Sequence, residues 1–152
     1  MKYKEVKGNL ITKAQKGEFD VIIHGCNCFN TMGAGLAPQM AKAFGCDKFF
    51  MEGPKYKGDK SKLGTGDAEP VFLKEGKNFY VVNCYTQYEP GPNASYDALR
   101  SCLKLLNDAF PGEHIGLPQI GCGIGGLDWN VVRELIKTEL EDCGEVTVVI
   151  FE

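Results

Sequence analysis

Apolar and polar positions divide the chain into alternating strand-like and helix-like runs. Val21-Ile22-Ile23 is a short β-branched run, which suits a strand buried on both faces. The predicted strand covers about Phe19 to Gly25 and leads through Cys26 and Asn27 into small and polar residues. Leu36, Ala37, Met40, Ala41 and Phe44 then recur at helical spacing. Pro38 falls in the first turn of that helix, where its missing N–H has no partner to lose, and Gly45 stops it. Upstream, Tyr3 to Lys7 reads as a half-exposed first strand. The chain then turns through Gly8 to Thr12 into a helical turn over Lys13 to Gly17.

Further along, Phe49-Phe50-Met51 reads as helical, and Gly53-Pro54 with the basic run Lys55 to Lys62 reads as a solvated loop. Gly66 to Leu73 and Asn78 to Tyr85 form the arms of a hairpin around Lys74 to Lys77. Thr86 to Ala94, with Pro90, Gly91 and Pro92, is a loop. Ser95 caps a helix whose buried stripe is Leu99, Cys102, Leu103, Leu106 and Phe110. A strand over His114 to Ile120 runs into the cluster Gly121-Cys122-Gly123-Ile124-Gly125-Gly126. Asp128 caps a last helix with the stripe Val132, Leu135, Ile136 and Leu140, and Val146 to Phe151 closes as a strand. Strands alternating with helices predict an α/β class with a mixed, mainly parallel sheet between helices. With no repeat or linker in its 152 residues, one domain over the whole chain is expected.

Composition changes this picture in two places. A net charge of −3 gives no global attraction to nucleic acid or anionic membrane, so any phosphate must be held locally. Seven cysteines without a secretory signal pattern predict reduced thiols in the cytoplasm. The one close pair, Cys26-Asn27-Cys28, lacks the second pair of a structural zinc site, and no metal or cofactor is expected.

Candidate chemistry gathers in the two glycine clusters, Gly33-Ala34-Gly35 and Gly121 to Gly126. Each lies between a strand end and a helix, where α/β sheets bind ligands. Glycines admit a bulky ligand to the backbone, and a helix start offers free N–H groups to an anion. The first cluster is not a dinucleotide fingerprint, because the third glycine position is Pro38, and neither holds a Gly-Lys-Ser/Thr sequence. The pair suits an extended diphosphate gripped from two sides.

The motifs Gly8-Asn9-Leu10-Ile11, His24-Gly25-Cys26-Asn27 leading to Met32-Gly33-Ala34-Gly35-Leu36-Ala37, and Pro118-Gln119-Ile120 leading through Gly126 to Trp129 together resemble the macrodomain family. The likeness covers essentially the whole chain and is nearest to small stand-alone, phage-like members of the ADP-ribose 1″-phosphate phosphatase type. It implies a three-layer α/β/α fold that binds ADP-ribose in a cleft above the sheet. Asn9 and Leu10 would then lie near adenine, with Asn9 where macrodomains usually carry aspartate. Asn27 would hold the distal ribose. Cys26, Met32 and Gly33, Ala34, Gly35 and Leu36 would border that ribose and one phosphate. Pro118, Ile120, Gly121, Cys122, Gly123, Ile124, Gly125 and Gly126 would line the other side, and Thr86 and Gln87 would edge the site. His24 and Asp128 are the candidate catalytic groups, His24 as base or nucleophile. The implied reaction is hydrolysis of ADP-ribose 1″-phosphate to ADP-ribose and phosphate. The alternatives are a non-catalytic module for free or protein-linked ADP-ribose, a hydrolase of an O-acyl or protein adduct, and an α/β protein using another nucleotide. A related branch cleaves ADP-ribose from glutamate with a lysine after a strand-end threonine and an aspartate in the second loop. Gln87 and Gly125 stand at those positions here. A monomer with a small-molecule ligand, and neither nucleic acid nor membrane as partner, completes the expectation.

Overall fold

The computed structural model describes residues 1–49, 57–74 and 76–152. In chain order the elements are β1 (Lys2–Gly8), α1 (Leu10–Gln15), β2 (Val21–Asn27), α2 (Ala37–Phe44), β3 (Gly66–Phe72), β4 (Asn78–Gln87), α3 (Tyr96–Ala109), β5 (His114–Leu117), α4 (Trp129–Glu139) and β6 (Glu145–Phe151). The strands form one sheet in the order β1-β6-β5-β2-β4-β3. The β3–β4 hairpin is antiparallel and every other pairing is parallel.

Period-two alternation along the strands builds a core on each face of the sheet. Ile23, Val82, Ile115 and Val148 pack with Leu99, Leu103, Val132 and Ile136 of α3 and α4. Ile22, Val81, Phe79 and Val149 pack on the opposite face with Leu10, Ala14 and Met40 of α1 and α2. The result is a three-layer α/β/α sandwich with β2 and β4 buried from both sides. Ile22 and Ile23 are both fully buried, each worth about 1.5–3 kcal/mol relative to exposure.

The ends of elements depart from the sequence pattern for local reasons. α1 begins at Leu10 rather than after Thr12, because Asn9 is extended (φ −120°) and its side chain accepts a 3.1 Å hydrogen bond from Thr12 N–H. β5 stops at Leu117, where Pro118 has no N–H for the ladder. β4 runs past Tyr85 to Gln87, since Asn27 pairs with Gln87 and Thr86 is bulged out of register. Phe49 is extended rather than helical, closing a 3₁₀ turn at Cys46–Lys48. Phe50 and Met51, the Gly53-Pro54 pair, Lys55 and Glu75 lie outside the described residues. Lys60–Lys62 forms a second 3₁₀ turn, and Lys62 is only 9% exposed, so the basic run is not wholly solvated. Among the described residues, no helix is long and apolar enough to cross a membrane.

Candidate functional site

A cleft of about 340 Å³ opens where β2, β4 and β5 end. His24, Gly25, Cys26 and Asn27 of β2 line it, with Thr86 and Gln87 of β4 and Pro118 and Ile120 beyond β5. One wall is the loop entering α2, with Gly33, Ala34, Gly35 and Leu36; the other is the loop after β5, with Gly121, Gly123, Ile124 and Gly125. Gly35 adopts φ 70°, and a Cβ there would lie 3.4 Å from Ile124 Cδ1. The two glycine loops therefore face each other across a single opening.

Among the described residues, the lining holds no lysine, arginine, aspartate or glutamate. Main-chain amides supply the polarity instead. Among the described residues, no protein acceptor takes the N–H of Gly33, Ala34, Gly35 or Leu36, nor that of Gly121, Gly123, Ile124 or Gly125. In the first turn of α2, whose N-cap Leu36 has no side-chain capping bond, Pro38 has no N–H and Gln39 N–H is spent on Leu36 O at 3.0 Å, so Ala37 is the residue of that turn with a spare amide. Such a constellation suits an anion, in particular one with oxygens on two sides.

His24 is 1% exposed and sits at the cleft floor. Asn83 Nδ2 donates to the carbonyl of Cys46 at 2.9 Å, which turns its Oδ1 toward His24 Nε2 at 2.7 Å. Since that oxygen can only accept, Nε2 carries the proton and Nδ1 keeps the lone pair. Burial pulls the imidazole pKa down to about 4, against a smaller opposing effect of the Asn83 bond. His24 is thus neutral at pH 7 and a weak base. The thiols of Cys26 and Cys46 lie 3.4 and 3.6 Å from Nε2, and burial pushes both upward in pKa. No group of three His, Cys, Asp or Glu residues able to hold a metal occurs among the described residues.

The polar residues around this floor are largely engaged with their own loops. Asn27 Oδ1 accepts from Phe29 N–H (3.0 Å) and Thr31 N–H (3.2 Å), and its Nδ2 donates to Thr31 O (2.8 Å). One amide hydrogen is left over. Gln87 Nε2 donates to the carbonyls of Glu89 (2.7 Å) and Gly91 (2.8 Å), fixing the following loop. Thr86 is 1% exposed, and its Oγ1 has no hydrogen-bond partner among the described residues. A Cβ on Gly125 would lie 2.7 Å from Gly121 O and 2.9 Å from Ala94 Cβ, so no aspartate fits there without moving the loop.

Six expected site residues stand apart from the lining: Asn9, Leu10, Met32, Cys122, Gly126 and Asp128. Asn9 caps α1, and Leu10 is buried in the core beneath it. Met32 packs inward against the hydrophobic clusters. Cys122 Sγ turns to Ile120 O at 3.4 Å, and Gly126 has φ 83° beside Pro92. Asp128 caps α4 by accepting from Asn130 N–H at 2.8 Å and is exposed, away from the cleft lining. The cleft also includes Gly25, Thr31, Ala37, Gln119, Pro90 and Gly91, none of them among the expected site residues. The last two arrive only because Gln87 extends β4 and gathers the loop onto itself.

The macro domain profile matches residues 23–136, which takes in both glycine loops, all of β5 and β2 from Ile23 onward. The chain belongs to the macro domain family. It is 38% identical over 144 residues to an uncharacterized 17.5 kDa protein of the tk-vs intergenic region of Enterobacteria phage T4, covering 89% of this chain and 88% of that one. It is also 24% identical over 149 residues to the ADP-ribose glycohydrolase OARD1 of Bos taurus, covering 96% of this chain and 88% of OARD1. In fold it superposes on Thermosipho africanus DarTG in complex with ADP-ribose with a TM-score of 0.81 at 16% identity. That superposition takes in 100% of this chain and 42% of the DarTG chain, so the chain spans under half of that larger protein.

Proposed function

We propose that this macrodomain binds ADP-ribose in the cleft, with its diphosphate between the two glycine loops. The observation that carries this reading is the pair of glycine loops lining one opening, whose amides lack a protein acceptor and whose lining holds no charged side chain among the described residues. The complex of DarTG with ADP-ribose supports the choice of nucleotide. Asn27 contributes its remaining amide hydrogen to a ribose hydroxyl. The test is a titration of labelled protein with ADP-ribose, followed by amide chemical shifts. Amides of Gly33 to Leu36 and of Gly121 to Gly125 move together; shifts confined to one loop, or to neither, defeat the proposal.

A second reading is hydrolysis of ADP-ribose 1″-phosphate, and the unprotonated Nδ1 of His24 at the cleft floor favours it. That nitrogen is free of Asn83 and would accept a water proton or attack phosphorus. The weak basicity of a buried imidazole limits the rate, so binding remains the primary conclusion. Phosphate release by the parent, abolished in His24→Ala, is the expected outcome. Release from O-acyl-ADP-ribose or ADP-ribosylated protein, with the 1″-phosphate left intact, redirects the activity to those adducts. A covalent lysine route has no footing, because Gln87 replaces the amine and Gly125 leaves no room for an acid.

A further inference from the structure

Outside the cleft, one cluster of buried polar groups is left without a role. Lys62 Nζ donates to Cys28 O at 3.1 Å and to Asn30 Oδ1, and it lies 4.3 Å from the centre of the Tyr85 ring. Asn30 Nδ2 in turn donates to Tyr85 OH at 3.0 Å, and Tyr85 OH donates to Asp67. Burial lowers the Lys62 pKa and Asp67 is the largest influence that raises it, so the ammonium is held by this cage rather than by water.

The cluster grips the segment Cys28–Thr31, the turn that follows β2. Asn30 in that turn has φ 55°, the positive-φ residue among the non-glycines described, in a region that asparagine enters more readily than other L residues but that its side-chain bonds help to hold. Both ends of its side-chain amide are engaged, one by Lys62 and one by Tyr85. From the other side, Asn27 receives the N–H groups of Phe29 and Thr31, and both Asn27 and Thr31 line the cleft. The turn is therefore a thin wall, with the cleft on one side and a buried ammonium on the other.

We propose that Lys62, acting through Asn30, is a positioning residue that sets this wall of the cleft and thereby the affinity for ADP-ribose. The inference rests on the proposed binding of ADP-ribose and adds a residue that never touches the ligand. Without the ammonium, Asn30 keeps only its Tyr85 link, its hold on positive φ weakens, Thr31 shifts, and the Asn27 amide loses its aim.

The test combines calorimetry with ADP-ribose and amide hydrogen exchange on the parent, Lys62→Met, Lys62→Arg and Asn30→Gly. In Lys62→Met, exchange at Phe29, Asn30 and Thr31 speeds up about tenfold and affinity drops about tenfold, as for one lost charge-assisted bond, while β5 and β6 exchange as in the parent. Lys62→Arg keeps the charge and restores most of both. Asn30→Gly accepts the backbone conformation but lacks the side-chain links; it folds, and it too binds more weakly. It carries the test if Lys62→Met fails to fold. Affinity within twofold of the parent in Lys62→Met or Asn30→Gly overturns the proposal, as does weakened binding without faster exchange in the turn. A parent that does not bind ADP-ribose refutes the ligand reading instead, and the exchange arm then decides alone whether Lys62 holds the wall.

Discussion

Thr86 and His24 show how single side chains at the cleft floor trade stability for chemistry. The Thr86 hydroxyl is buried without a partner among the described residues, and such a group costs about 1–3 kcal/mol. Thr86→Val keeps the volume and removes the hydroxyl, so its melting temperature rises by roughly 2–4 °C in a thermal scan. His24 has a folded-state pKa near 4, below the value of about 6.5 for the unfolded chain. Its contribution is complete above pH 6.5 and lost as pH falls through 4, a span of roughly 3 kcal/mol in the neutral form's favour. Urea midpoints of the parent should therefore fall more steeply between pH 7 and pH 4 than those of His24→Asn. An equal slope means the imidazole is not held neutral.

The elements of the fold were largely legible in the sequence, and their ends were less so. Ser95 and Asp128 read as helix caps and are caps, since that preference depends only on a side chain reaching its own backbone. The hairpin β3–β4 and the apolar run of β2 were equally local signals. The bulge at Thr86 was not, because it is a mismatch between β4 and its neighbour that no single strand encodes. The same non-local origin hid Pro90 and Gly91 at the cleft and the burial of Lys62, whose carbonyl partner is Cys28. Asp128 carries two expectations that now separate. Asp128→Ala should cost about 1 kcal/mol in chemical denaturation, the usual value of a cap. Its ADP-ribose affinity, by calorimetry, should match the parent; a large loss would return the carboxylate to the cleft.

For the molecule as a whole, the balance of charge and amide donors has a measurable signature. A chain of net charge −3 repels a diphosphate at long range, and among the described residues the cleft lining holds no side-chain cation to compensate. Added salt therefore screens repulsion rather than attraction. ADP-ribose affinity should stay level or rise slightly as sodium chloride is increased, and a steep decline would reveal a cation serving the ligand. Both loops were legible as glycine clusters, yet their meeting across one opening depends on β5 lying beside β2 in the sheet.

The pairing of β1 with β6 also bears on biosynthesis. Lys2 faces Glu145 and Gly8 faces Phe151, so the first-made strand of the sheet pairs with the last-made one. During translation β2, β3 and β4 can dock as soon as they leave the ribosome, while β1 waits as a loose ribbon until β6 follows. Chains stalled before Glu145 would thus expose an apolar flank of the half-built sheet, an opening that chaperones and proteases can recognise.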